Sequence, residues 1–158
     1  MCDFIKNVTR VQPASVVIAG DLNIDAKDDR HCHQSQSGEY CALFQLLEST
    51  NLVVTDLLHE SYGHHPSTYG DAYLCSVNES WRPKETVLTA PVDHCTKMCI
   101  DYLVLLRPHD EEYNKKLKIM DRSTKVEEFF VLGKPYSHLS DHYGISTVLD
   151  VSASNILV

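Results

Sequence analysis

The sequence predicts an α/β (α+β) protein in which apolar strands are separated by helical segments. Three observations lead there. "CIDYLVLLRP" (99–108) places Ile100, Tyr102, Val104 and Leu106 on one side and Leu103 and Leu105 on the other. Both faces are apolar, so this strand belongs at the centre of a sheet. "GEYCALFQLLEST" (38–50) repeats Tyr40, Leu43, Phe44 and Leu47 at helical spacing. Finally, 158 residues are enough for one core and few for two domains.

From the N-terminus, a helix precedes "VVIAGDLN", and Val16 to Ala19 reads as a short buried strand bounded by Gly20. Residues 25–38 are polar and read as an exposed loop. The helix at 38–50 takes Ser37 as its cap and Asn51 as its end. "LVVTDLL" (52–58) returns to the core, and "GHHPSTYG" is a loop broken by Pro66 and its glycines. Residues 71–95 look irregular, with "TVLTA" (86–90) a candidate strand. "VEEFFVL" (126–132) reads as a strand carrying Phe129 and Phe130 in the core. "YGISTVLDV" (143–151) alternates as a half-buried strand.

Apolar residues at 43% and charged residues at 23% are ordinary proportions for a soluble globular chain. No apolar run approaches a membrane span, and "MCDFIKNVTR" lacks the apolar stretch of a signal peptide. The chain is therefore intracellular or a piece whose targeting segment lies elsewhere. A net charge of −8 disfavours extended nucleic-acid binding. Nine histidines widen the choice of metal and proton-transfer groups. Six cysteines (Cys2, Cys32, Cys41, Cys75, Cys95, Cys99) and two glycosylation sequons, at Asn7 and Asn78, lean toward a secreted or membrane-associated, oxidising setting. "HCH" (31–33) and "HCTKMC" (94–99) lack paired zinc spacing, so scattered thiols or disulfides are the preferred reading.

Three strand-linked motifs carry polar groups that strands do not need: "GDLN" (20–23), "IDYL" (100–103) and "SDH" (140–142). In extended backbone Asp21 and Asn23 share a face, and Gly20 permits close approach of backbone or ligand. Asp101 opens an apolar strand, where an unpaired carboxylate is costly, so it needs a partner. His142 is the natural one, because an accepting carboxylate fixes the imidazole tautomer and raises its basicity. Taken singly, these motifs read equally as a turn, a strand-edge carboxylate and a cap.

Taken in order, strand–"GDLN", "STY", "IDYLVL" and "SDHYGI" resemble the second half of the endonuclease/exonuclease/phosphatase (DNase I-like) superfamily of metal-dependent phosphoesterases. Within it, "GEYCALFQLLESTNLVVTDLL", "GHHPSTYGD" and "SDHY" look most like the neutral sphingomyelinases, particularly the bacterial-type secreted branch, over roughly residues 5–150. The resemblance implies the second half of a four-layered α/β sandwich, with a mixed, mostly antiparallel sheet and flanking helices. It implies hydrolysis of sphingomyelin to ceramide and phosphocholine at a membrane surface. His142 would be the general base and Asp101 its orienting partner. Asp21 and Asn23 would position water and phosphate, and Asp141 would lie at a Mg²⁺ site. Hard oxygen ligands and a divalent cation suit a substrate shielded by negative oxygens.

The pattern also departs from that superfamily, whose first half supplies an asparagine and a metal-binding glutamate from early strands. No stretch here stands for them, and Glu39, Glu48 and Glu60 sit in or beside helical sequence. The expectation is therefore a single partial domain spanning 1–158, with one apolar sheet face uncovered and weak or no activity alone. The resemblance further implies that Phe129 and Phe130 belong to an aromatic hairpin that dips into lipid, the alternative to the core strand above; Trp81 is a second candidate for lipid contact. A nuclease or phosphoinositide phosphatase of the same superfamily and a non-catalytic remnant are the competing functions. The acidic charge and the absence of a basic stripe count against the nuclease. "HCTKMCIDYL" stands where the inositol-phosphatase branch shows Trp-Cys-Asp-Arg.

Overall fold

The computed structural model describes residues 1–11, 14–27, 38–110, 117–120 and 122–151. Helix α1 (Cys2–Val11) leads into β1 (Val16–Asp21), and α2 (Glu39–Glu48) leads into β2 (Val53–Asp56). A short helix, α3 (Leu57–Tyr62), follows without a break. Next come the hairpin of β3 (Ala72–Cys75) and β4 (Ser80–Pro83), a 3₁₀ turn at Pro91–Asp93 and β5 (Asp101–Arg107). The C-terminal part holds β6 (Leu117–Ile119), β7 (Lys125–Glu127), β8 (Gly144–Ser146) and β9 (Leu149–Val151). The protein is thus α+β.

β5 occupies the centre of an antiparallel sheet ordered β1-β5-β2. Period-two alternation divides its side chains between two clusters. Tyr102, Val104 and Leu106 join Ile5, Leu43 and Leu47 in the larger core, beneath α1 and α2. Leu103 and Leu105 join Leu57 on the other face, with Leu117, Ile119 and Ile145 packed against them. That second layer is thinner, and a cavity of about 820 Å³ opens there between Leu105, Tyr62 and Ile119.

Four local readings change. α2 begins after Gly38 with no side-chain cap, and Ser37 lies outside the described residues, as does most of the loop expected at 25–38. The run 52–58 is not one strand. At Asp56 the chain turns into α3, because the Asp56 carboxylate accepts the Leu58 and His59 amides at 3.0 and 3.1 Å and so caps a helix. Residues 71–95 contain a hairpin, whereas "TVLTA" forms no strand: the buried Glu85 carboxylate gathers the amides of Val87, Leu88 and Thr89 into a turn. The final alternating stretch is broken into β8 and β9, which pair with β7 and β6 respectively.

The largest correction concerns 126–132. The strand stops at Glu127, and Phe129 and Phe130 are 49% and 64% exposed. They are not core residues. The chain folds back at once, with the Leu139 amide donating to the Phe129 carbonyl and the Val131 amide to the Ser137 carbonyl. This leaves no continuous strand on which both rings could turn inward. Cys2, Cys75, Cys95 and Cys99 are free thiols and Cys41 is disulfide-bonded, while "HCH" lies outside the described residues.

Asp56 also accepts from Tyr40 Oη at 3.0 Å and faces His65 Nε2 at 3.4 Å. Burial pushes its carboxyl pKa up. The nearby His65 ring and the bonds from the His59 amide and Tyr40 outweigh that and leave it below the ordinary value of 3.8. A carboxylate with a depressed folded-state pKa stabilises the fold above its unfolded value and loses that contribution as pH falls through the folded one. Urea denaturation between neutral pH and strongly acidic pH should therefore give a shrinking gap between the wild type and Asp56→Asn. At neutral pH the variant should be about 1–3 kcal/mol less stable. A gap that stays constant through acid would contradict this assignment.

Candidate active site

Two loops clamp the entrance to β5. From one side come residues 22–26: the Leu22 and Ala26 amides donate to the Ile100 and Cys99 carbonyls at 3.0 and 2.9 Å, and the Cys99 amide donates to Asp25 Oδ1 at 2.9 Å. From the other come Thr68 and Tyr69, whose amides both donate to the Met98 carbonyl. The next residue, Gly70, has φ +62, and a Cβ there would collide with Thr96 Oγ1 and the Asp93 carbonyl. Only glycine lets the 66–71 loop lie this close to the segment that feeds β5.

Asp101 is the first residue of β5, and His142 comes from the loop before β8. His142 Nδ1 lies 2.9 Å from Asp101 Oδ2, with the His142 side chain 28% exposed and that of Asp101 14%. An ionised carboxylate can only accept, so Nδ1 carries the hydrogen, and in the neutral ring Nε2 is left with the lone pair. The short loop is set by Ser140, whose hydroxyl accepts the His142 amide at 3.1 Å and donates to Asp141 Oδ1 at 3.3 Å. Tyr69 packs on the imidazole with ring centroids 4.8 Å apart. Its phenol donates to Asp93 Oδ2 at 2.8 Å, which, with burial, pushes its pKa up to about 12. The phenol thus stays protonated and neutral beside the histidine.

The structure brings Asp21, Asp101 and His142 to one strand end and places Asn23 in the turn just past it. Asp21 stands directly opposite Asp101 in the β1–β5 register. Gly20, before it, has φ +136 and borders a cavity of about 190 Å³ together with Asp101, Tyr143 and Gly144. Asn23 does not follow. It has φ +52 and donates its amide to Asp21 Oδ1 at 2.8 Å, which makes a tight turn, and it borders a different cavity beside Glu39 and Leu43. The expectation that Asp21 and Asn23 share a face assumed extended backbone through residue 23; β1 ends at Asp21.

Asp141 sits beside the pair, bonded to Ser140. Among the described residues no group of three or more His, Cys, Asp or Glu side chains is placed to hold a metal ion. Asp141 supplies the hard oxygen that Mg²⁺ prefers, but the described donors do not by themselves fit such a site. Glu39, Glu48 and Glu60 lie on α2 and α3, as their sequence context indicated.

Thr68, Tyr69 and Ser140 were not singled out from the sequence as working residues. The signal lay in "STYG" and "SDH": a small hydroxyl residue beside an aromatic and a glycine, and a serine two residues before a histidine. Such runs are also common loop chemistry, and only contact with β5 separates the two.

The chain is similar to a curated sphingomyelinase of Dictyostelium discoideum, with 28% identity over 187 aligned residues covering 95% of this chain. It spans 40% of the length of that relative. No family model matches, and no solved structure does.

The tautomer of His142 is open to direct measurement. Asparagine at 101 can turn its NH₂ toward Nδ1 and donate, which would leave the hydrogen on Nε2. Imidazole ¹⁵N shifts at alkaline pH should therefore report an Nδ1-protonated ring in the wild type and a shift toward the Nε2-protonated form in Asp101→Asn. Identical ¹⁵N spectra would mean that the carboxylate does not set the tautomer.

Proposed function

We propose that this protein is a phosphodiesterase of the sphingomyelinase type, in the endonuclease/exonuclease/phosphatase superfamily, and that the described residues carry its proton-transfer machinery. The observation that carries the reading is the 2.9 Å bond between His142 Nδ1 and Asp101 Oδ2 at a partly open strand end. The likeness to a sphingomyelinase supports the choice of substrate class. His142 Nε2 takes a proton from water as the oxygen attacks phosphorus, and Asp101 holds the ring and stabilises the imidazolium that forms. The bond from phosphorus to the ceramide oxygen breaks, that oxygen takes up a proton from solvent, ceramide and phosphocholine are released, and the imidazolium returns its proton to water. Asp21, across from Asp101, orients the water or phosphate; Asn23 shapes the turn that holds Asp21.

Mg²⁺ belongs to the same proposal. Asp141 would supply one oxygen donor. When bound, the ion would neutralise charge on the phosphate oxygens.

A membrane-surface location is part of the reading. The turn after β7 presents Phe130, Leu132 and Leu139 at 64%, 93% and 66% exposure. Phe129 is seated against Gly144, where a Cβ would strike its ring. Exposed aromatic and aliphatic groups on a fold-back loop suit insertion at a lipid interface. No described helix is long and apolar enough to cross a membrane.

Two measurements test this. With the full-length protein expressed and Mg²⁺ supplied, sphingomyelin vesicles should yield phosphocholine and ceramide, and His142→Ala should reduce the rate by about 10²–10⁴-fold. Full activity in His142→Ala would remove the histidine from the mechanism, and turnover of phosphoinositide or DNA instead of sphingomyelin would overturn the substrate. Separately, Phe130→Ser with Leu132→Ser should weaken vesicle binding while leaving the denaturation midpoint nearly unchanged. A collapse of stability would return these side chains to the core.

A further inference from the structure

We infer that Thr68 is a positioning residue for the Asp101–His142 pair, acting through its side-chain hydroxyl and its carbonyl. This deepens the proposed function and rests on Asp101 and His142 as the working pair. Thr68 is fully buried. Its Oγ1 accepts two successive amides, those of Ile100 at 3.1 Å and Asp101 at 3.2 Å. Its carbonyl accepts the Tyr143 amide at 2.7 Å, and its own amide donates to the Met98 carbonyl at 2.9 Å.

One residue is therefore bonded to the backbone of Asp101 and to the backbone immediately after His142. Asp101 and His142 are 41 positions apart and reach each other only if two separate chain segments hold a common distance. Thr68 sets that distance. Both lone pairs of its hydroxyl point at the mouth of β5, so the residue has no acceptor capacity left for another partner. The adjoining Tyr69 is bridged to both Met98 and His142, which places the whole dipeptide between the segments it joins. A threonine needed only to fill space would be replaceable by valine, which has nearly the same shape and lacks the acceptor.

The test uses ¹⁵N-histidine labelling of the intact chain, independently of turnover. In the wild type at alkaline pH, His142 should be protonated at Nδ1 with slow exchange of that hydrogen. In Thr68→Val, which loses both accepted bonds, the competing Nε2-protonated form should grow at least about fivefold, the shift that one lost hydrogen bond of ordinary strength already corresponds to. Thr68→Ser keeps the hydroxyl and should restore the wild-type tautomer, even if lost packing lowers its stability. An unchanged tautomer in Thr68→Val would overturn the inference. So would a Thr68→Ser protein whose tautomer moves away from that of the wild type, and this result overturns the inference even if the valine variant fails to fold. Absence of sphingomyelin turnover with the tautomer pattern intact would count against the proposed function and not against Thr68.

Discussion

A carboxylate at the mouth of a strand buried on both faces is the constraint around which this structure is arranged. β5 runs from Asp101 straight into Tyr102, Leu103, Val104, Leu105 and Leu106, all of them buried. Leaving Asp101 ionised and unpaired there would cost several kcal/mol. The fold meets that demand with His142, on a loop whose geometry follows from Ser140 and from the Tyr143–Thr68 backbone bond. A structural necessity and a chemical opportunity coincide. The partner that satisfies the carboxylate is also a side chain with a second ring nitrogen able to accept a proton.

The clamps around the strand entrance are polar, and both are long-range. Asp25 reaches the Cys99 amide across 74 positions, and Thr68 reaches the Ile100 and Asp101 amides across 32 and 33. Lys84 extends the second clamp, bridging Asp71 at 2.8 Å and Glu128 at 2.7 Å. Burial opposes its charge, but the two carboxylates outweigh that and raise its pKa. This ties the loop that carries Tyr69 to the turn that presents Phe130. The candidate chemical site and the candidate lipid-contact loop therefore share one polar network, which gives the apolar loop a fixed base despite its exposed tip.

The departures from expectation have a common physical origin. Residues 126–132 are as apolar as a core strand, yet the backbone bonds from Val131 and Leu139 fold the segment back and leave its rings outside. "TVLTA" has the composition of a strand, but the carboxylate of Glu85 competes for its amides and wins them. The left-handed backbone that asparagine tolerates at Asn23 accompanies a strand that ends at Asp21, two residues short of the expected alternation. In each case a local hydrogen bond redirected the backbone, and hydrophobic pattern carries no record of such bonds.

The sequence alone determined which strand is central, because Leu103 and Leu105 alternate with Tyr102, Val104 and Leu106 and leave no polar face to expose. It determined the α2 stripe, and it marked Asp101 as a group in need of a partner, since charge within an apolar run is legible without coordinates. Only the tertiary structure decided that His142 meets that need at 2.9 Å, that the Asn23 amide folds back onto Asp21 in a turn, and that Thr68 joins the two halves of the pair. The reason is range. Burial periodicity is written in adjacent residues, whereas a hydrogen bond across 41 positions depends on how two loops close over the same strand end, and that closure is a property of the packed chain.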